Sequence, residues 1–246
     1  MFAVAKKRKP THIPMKIGVF GTGVVAQTIA EKLDSLGHTV VLGTRSVEQS
    51  LARADKDGFG RPPLKDWLAA HPKVKLGTFA EAAVHGELLV NATSGHGSME
   101  ALKHAGEAHL NGKVMLDIAN PLDFSKGFPP SLFVSNTDSL GEQLQRAFPQ
   151  LKVVKGLNTL TCFLMVAPRL LAEEHHMFLC GNDAGAKSEV RALLRSFGWT
   201  DAEMIDLGDI TMARGTEQLL PIWVRLYGTL QDAMFNLRVV RMAKQA

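Results

Sequence analysis

The chain has 246 residues, 46% of them hydrophobic and 21% charged, with a formal net charge of +4. That is ample for a sizeable core and ordinary for a soluble globular protein, as one α/β domain with an appendage or as two small domains. No stretch is long and apolar enough to span a bilayer, and the N-terminus lacks the apolar centre of a secretory signal, so a cytoplasmic protein with no membrane partner is expected. Part of the positive excess lies in Lys6-Lys7-Arg8-Lys9. With Pro10 and Pro14 behind it, this run reads as a basic flexible leader over residues 1–14 rather than a nucleic-acid site, and Met15 is an alternative start. Cys162 and Cys180 have no metal-ligand spacing and read as buried reduced thiols. His175-His176 has no ligand partners nearby, so no metal site is expected.

The first elements carry the clearest chemistry. Lys16-Ile17-Gly18-Val19-Phe20 predicts a short buried strand running into Gly21-Thr22-Gly23-Val24-Val25-Ala26. Gly21 allows a sharp turn out of the strand, Gly23 leaves room for backbone to approach a pyrophosphate, and the small Ala26 permits close helix–strand packing. The helix that follows sets Ile29, Leu33 and Leu36 on one face and ends at Gly37, a C-cap glycine. Its first amides and its dipole favour a bound phosphate. A second strand over residues 38–42 leads to Thr44-Arg45-Ser46. Sites for NAD place an acid there to accept from the ribose 2′-OH. Two hydroxyls and a guanidinium instead suit a 2′-phosphate, so the cofactor read from these residues is NADP(H).

Beyond this unit the pattern alternates. A polar helical segment spans 47–57, a loop 58–63, a helix 64–70, a strand 74–78 and a turn or helix 79–84. A strong buried strand over 88–92 is followed by Thr93-Ser94-Gly95-His96-Gly97, with a helix N-cap at Ser98 and the helix running over 99–108. A strand over 113–119 ends at Asn120-Pro121, and a long polar connection spans 122–136. Then come a helix 139–148, a strand 152–158 ending at Asn158-Thr159, a strand 178–180, a helix 184–197 and an edge strand 204–206. From Thr216 onward one long helical pattern continues to the end, with Pro221 set to kink or split it. Alternation of this kind calls for a doubly wound, mostly parallel Rossmann-type α/β sheet. Ligands bind beyond the carboxyl ends of such strands, which directs attention to Thr93, Ser94 and His96, to Asn120 and Pro121, and to Asn158 and Thr159.

At these residues the sequence resembles the NADP-dependent oxidoreductases that exchange hydride with the deazaflavin coenzyme F420, and the cytosolic reductase domains of the STEAP metalloreductases. The resemblance runs through Gly21-Thr22-Gly23, Gly43-Thr44-Arg45, the segment before His96, Leu116-Asp117-Ile118-Ala119-Asn120-Pro121, Val154-Lys155-Gly156-Leu157-Asn158, Cys180-Gly181-Asn182-Asp183 and Asp206-Leu207-Gly208, leading to Glu217 and Pro221. It implies a Rossmann domain over residues 15–200 and a small C-terminal helical extension over 201–246 that completes the acceptor pocket of a homodimer. It also implies roles for single residues. Gly21, Thr22, Gly23, Val24 and Val25 would meet the pyrophosphate, and Thr44, Arg45 and Ser46 would hold the 2′-phosphate. Asn120 and Pro121 would lie beside the nicotinamide, and His96 near the reacting rings as the candidate catalytic residue; from their place at the strand ends, Thr93 and Ser94 are expected near the nicotinamide too, and Asn158 and Thr159 beside the substrate. Thr93-Ser94-Gly95 departs from the apolar or charged residues common before that histidine.

The activity implied is hydride transfer between NADPH and a small-molecule electron acceptor, a flavin or F420 as co-substrate. Such transfer asks little of side chains, because the cofactors carry the chemistry. The sole tyrosine, Tyr227, has no lysine four residues on, so a Tyr-x-x-x-Lys dehydrogenase site is ruled out. Two alternatives stand beside it: an NADPH-dependent dehydrogenase or imine reductase of a small carbonyl or imine, and a non-catalytic NADPH-binding sensor.

Overall fold

In the computed structural model, which describes residues 13–54 and 60–242, β1 (Lys16–Phe20) and α1 (Val24–Ser35) meet at Gly21, whose φ is +115°. The basic run at residues 6–9 and part of the loop expected at 58–63 lie outside the described residues. Helix α1 closes as a Schellman motif. The Gly37 N–H donates to the Asp34 carbonyl at 2.9 Å and the His38 N–H to the Leu33 carbonyl at 3.1 Å, with Gly37 in the left-handed region at φ +90°. That turn returns the chain into β2 (Thr39–Thr44), which pairs in parallel with β1, Lys16 opposite Thr39.

The chain continues through α2 (Val47–Ala52), α3 (Leu64–Ala70), β3 (Lys75–Thr78), α4 (Phe79–His85), β4 (Leu88–Asn91), α5 (Gly95–Ala105), α6 (Glu107–Leu110) and β5 (Val114–Asp117). The connection expected over 122–136 contains a small antiparallel pair, β6 (Leu122–Asp123) and β7 (Ser131–Leu132). Then follow α7 (Leu140–Ala147), β8 (Lys152–Gly156), α8 (Cys162–Val166), β9 (Met177–Gly181), α9 (Ala184–Phe197), β10 (Met204–Asp206), α10 (Ala213–Gln218) and α11 (Leu220–Leu230).

Among the described residues eight strands form one sheet in the order β10-β9-β8-β5-β4-β1-β2-β3. Every neighbouring pair is parallel except β8 with β9. Side chains alternate between two buried cores: Ile17, Val19, Leu88, Val90, Val114 and Leu116 face α1, α8 and α9, while Phe20, Leu89, Met115 and Val153 face α4, α5 and α7. Both faces are covered, as a doubly wound fold requires. Strand order reverses between β1 and β4, so the ligand crevice expected of such a sheet opens where the glycine turn after β1 meets the loop after β4.

Two expectations need correction. Helix α5 starts at Gly95, with Ser94 as its N-cap, not at Ser98. Ser98 is buried within the first turn, its hydroxyl donating to the Ser94 carbonyl at 3.2 Å. A Cβ on Gly95 would collide with the Asn120 carbonyl, so packing against the β5 loop sets the helix start and overrides the poor helix propensity of glycine. The C-terminal region is likewise not one helix to the end. Pro221 sits in the first turn of α11, where no N–H is needed, and Gln231 ends that helix in the left-handed region at φ +53°. Residues 232–242 are irregular and bind the start of β9. The His176 N–H donates to the Leu237 carbonyl at 2.9 Å, Asn236 Nδ2 bonds His175 Nδ1 and the His176 carbonyl, and the Val239 N–H donates to His176 Nδ1. His175 and His176 are thereby buried hydrogen-bonding residues.

Candidate functional site

At the β1/β4 crevice lies a cavity of about 570 Å³ lined by Gly21, Thr22, Gly23, Gly43, Thr44, Arg45, Ser46, Gln49, Ser50, Arg53, Phe79, Ala92, Thr93 and Ser94. The two glycines of the first turn differ in their surroundings. A Cβ on Gly21 would stand 2.6 Å from the Ala92 carbonyl oxygen, so the turn is pressed against the end of β4. A Cβ on Gly23 would meet nothing within 4 Å among the described residues. The backbone at Gly23 is thus bare on the cavity side, where a pyrophosphate would approach. Val24 and Val25 do not line the cavity; their side chains pack on the core, and their backbone amides begin α1.

At the far end, Thr44 is buried and its Oγ1 lies 2.7 Å from Ser50 Oγ. Ser46 caps α2, its hydroxyl accepting from the Gln49 N–H. Arg53 reaches back across the cavity, its Nη2 donating to Thr22 Oγ1 at 2.9 Å and to Ser50 Oγ at 3.3 Å. The described polar side chains lining this end are hydroxyls, guanidinium groups and the Gln49 amide, with no carboxylate among them, a donor set suited to a phosphate rather than a ribose hydroxyl.

The other predicted loops meet in a rim beside the cavity wall: Ser94 lines the cavity, and Gly95 after it packs on the Asn120 carbonyl. Asn120 and Asn158 clasp each other: Asn120 Nδ2 donates to the Asn158 carbonyl at 2.8 Å, and Asn158 Nδ2 to Asn120 Oδ1 at 2.9 Å. Asn158 is 2% exposed, and its Oδ1 has no hydrogen-bond partner among the described residues. Leu157, just before it, takes a left-handed φ of +60°. A buried non-glycine residue in that conformation stores strain of ~1–3 kcal/mol that its surroundings must hold. Pro121 and Thr159 are buried beside these asparagines. His96, in the first turn of α5, is exposed and stacks on Phe133 with ring centroids 4.3 Å apart.

Beneath the rim runs a buried polar row that joins residues the sequence shows only in separate segments. Asn91, Asp117 and Lys155 stand opposite one another on β4, β5 and β8 and are all fully buried. Thr93 Oγ1 donates to Asn91 Oδ1 at 2.7 Å, and Asn91 Nδ2 donates to Asp117 Oδ1 at 2.8 Å. Lys155 Nζ lies 2.8 Å from Asp117 Oδ2 and 2.7 Å from Glu217 Oε1 of α10. Glu217 in turn accepts the Leu140 and Gly141 amides that open α7. Burial pulls the Lys155 ammonium toward neutrality, but the two carboxylates outweigh it and hold its pKa above the ordinary lysine value. Lys155 also donates to the Ala119 carbonyl at 2.5 Å, while Asp117 Oδ1 accepts the Ala119 N–H, so the residue before Asn120 is gripped on both sides. The sequence signal was available: a lysine between Val154 and Gly156 in an apolar strand must find a counter-charge.

Cys162 and Cys180 are free and buried, and burial pushes the Cys180 thiol up to about 12. Among the described residues no cluster of three or more His, Cys, Asp or Glu could hold a metal ion, and no helix is long and apolar enough to cross a membrane.

Comparison with known proteins agrees with this geometry. The family model described as NADP oxidoreductase coenzyme F420-dependent matches residues 16–121. The crystal structure of a candidate F420-dependent NADP reductase from Arthrobacter sp. FB24 is 54% identical, covers 92% of this chain and 100% of its own, and superposes with a TM-score of 0.87. The F420-dependent NADP reductase of Methanothermobacter marburgensis is 25% identical over 86% of this chain and 92% of its own length. Rat metalloreductase STEAP3 is 26% identical over 87% of this chain, which spans 38% of that longer protein. An imine reductase from Myxococcus stipitatus, solved with NADP+, is 16% identical with a TM-score of 0.57 and shares the fold alone. The chain therefore belongs to the coenzyme F420-dependent NADP oxidoreductase family and is an NADP-dependent oxidoreductase.

Proposed function

We propose that the protein moves hydride between NADP(H), bound in the cavity along the β1/β4 crevice, and a flat redox ring, a flavin or F420-type deazaflavin, received at the Asn120–Asn158 rim. In this reading Gly21, Thr22, Gly23 and the first amides of α1 take the pyrophosphate. Thr44, Arg45 and Ser46 take the 2′-phosphate, and Thr93, Ser94, Asn120 and Pro121 border the nicotinamide. Asn158 and Thr159 border the acceptor, with the free Asn158 Oδ1 offering a hydrogen-bond acceptor to a ring substituent or carboxamide. When bound, the two cofactors supply the redox chemistry, and the protein fixes ring distance and face and excludes water. His96, exposed on the first turn of α5 and steadied by Phe133, orients the acceptor.

The observation that carries this reading over a carbonyl or imine reductase is the state of Lys155. Reduction of a small carbonyl or imine needs a proton donor beside the substrate, and the lysine next to the rim is fully buried and held by two carboxylates. The name of the 54% identical Arthrobacter protein points the same way. The test is NADPH oxidation with F420, FMN, FAD and a panel of small ketones and imines. Turnover confined to deazaflavin or flavin is expected. Turnover confined to carbonyls or imines would replace this reading, and tight NADPH binding with no turnover on any acceptor would favour a sensor. We also assign a homodimer seam to the exposed Ile222, Tyr227 and Leu230 of α11 with Phe128, whose ring meets Tyr227 at 6.5 Å. Sedimentation should give twice the chain mass, and Leu230→Asp should halve it.

A further inference from the structure

We propose that Arg53 is a second determinant of 2′-phosphate specificity and a latch that releases Thr22 of the glycine turn when NADP(H) binds. The proposal rests on the cavity being the NADP(H) site. Arg53 lies eight residues beyond Arg45, at the end of α2, yet both line the same cavity. A hydrogen-bonded chain runs around its wall from the end of β2 to the glycine turn: Thr44 to Ser50, Ser50 to Arg53, Arg53 to Thr22. Ser50 is 4% exposed, so the middle of this chain is fixed and aims the guanidinium.

Charge separates the two arginines. Arg45 shares its field with Glu100 on α5, whose carboxyl is held below the usual range chiefly by Lys103 and in small part by Arg45. The groups Arg53 touches among the described residues are neutral hydroxyls. A guanidinium matched only to hydroxyls gains on exchanging one for a phosphate oxygen, because charge-assisted hydrogen bonds are roughly twice as strong as neutral ones. A phosphomonoester carries about −1.5 to −2 charges near neutral pH, more than one guanidinium can balance. Arg45 and Arg53 together match it. The swing of Arg53 also frees the Thr22 hydroxyl, which then faces the pyrophosphate side of the cavity with a proton to donate.

The test is titration of Arg53→Ala and Arg53→Lys with NADPH, NADH, 2′,5′-ADP and 5′-AMP, with Arg45→Ala as the comparison. For Arg53→Ala the dissociation constants of NADPH and 2′,5′-ADP should rise about 10- to 100-fold, the range of one charged hydrogen bond. Those of NADH and 5′-AMP should stay within about twofold, and the salt dependence of NADPH binding should flatten. Arg53→Lys should recover part of the affinity and most of the salt dependence. Equal losses for phosphorylated and unphosphorylated ligands would overturn the assignment, as would no loss at all while Arg45→Ala weakens NADPH. If Arg45→Ala and Arg53→Ala both leave NADPH affinity unchanged, the placement of the cofactor in this cavity fails with it. Arg53 is exposed, so thermal unfolding of the variants should match the parent.

Discussion

Removing the cation from the buried row is the sharpest test of how the rim is held. Lys155→Met is close in length to lysine and deletes only the charge and its donors. Side-chain exposure is 0% for Lys155, 0% for Asp117 and 2% for Glu217, so water cannot replace the lost partner. Two carboxylates would then remain, with Glu217 keeping the Leu140 and Gly141 amides and Asp117 keeping Asn91. Breaking a buried pair from one side costs about 3–5 kcal/mol. At about 2–4 °C per kcal/mol for a protein of this size, Tm should fall by roughly 6–20 °C. Thermal and urea unfolding followed by far-UV circular dichroism measures this. Adding Asp117→Asn and Glu217→Gln should recover part of the loss, because neutral amides need no counter-charge. A Lys155→Met protein within about 1 kcal/mol of the parent would refute the mutual dependence of these three buried groups.

The paired glycines separate folding from binding. Gly21→Ala should destabilise by at least ~1–3 kcal/mol from the strained backbone alone, with the Ala92 carbonyl 2.6 Å from the new methyl adding to it. Gly23→Ala should leave Tm nearly unchanged and weaken NADPH in titration, since its methyl enters open cavity. A stable Gly21→Ala protein, or Gly23→Ala with parental affinity, would contradict the geometry. His96→Ala should lower turnover by roughly tenfold, below the ~10²–10⁴-fold of a general acid or base, with NADPH affinity intact. Lost affinity with an unchanged single-turnover rate would reassign it to cofactor binding. The Arg146 guanidinium holds the Asp138 carboxyl down at about 2. A depressed carboxylate stabilises the fold above its unfolded value of 3.8 and loses that contribution as pH falls toward 2. Asp138→Asn should flatten the acid limb of the stability curve in that window, and an unchanged limb would show that the pair contributes nothing.

Much of this architecture is written locally in the chain. The strands are apolar runs with a glycine or polar residue at the turn. Gly37, Ser139 and Gly198 mark helix ends by their backbone or capping chemistry, and a cavity wall rich in hydroxyls and a guanidinium at the end of β2 is readable from Thr44-Arg45-Ser46. The losses came where distant contacts decide. Gly95 and Gly97 look like loop residues, and only the Asn120 carbonyl explains why a helix can begin there. Val239, Val240 and Met242 extend a helical pattern that Gln231 has already ended. Ser46, Ser50 and Arg53 follow at spacings of four and three, one helical face, but their common target exists only once α2 is folded over the glycine turn. Asp117 and Glu217, a hundred residues apart, share Lys155 for a reason no local pattern encodes.

Residues 232–242 bear on how the protein can be handled. Asn236, Leu237 and Val239 satisfy polar groups of His175 and His176 at the entrance to β9, and Phe235 stacks on Trp223 of α11 at 5.3 Å. A segment that resembles a dispensable tail is therefore a seal: cutting the chain after Leu230 would admit water to two imidazoles and an indole at once. Shortened variants made for crystallisation should keep the chain through Val239.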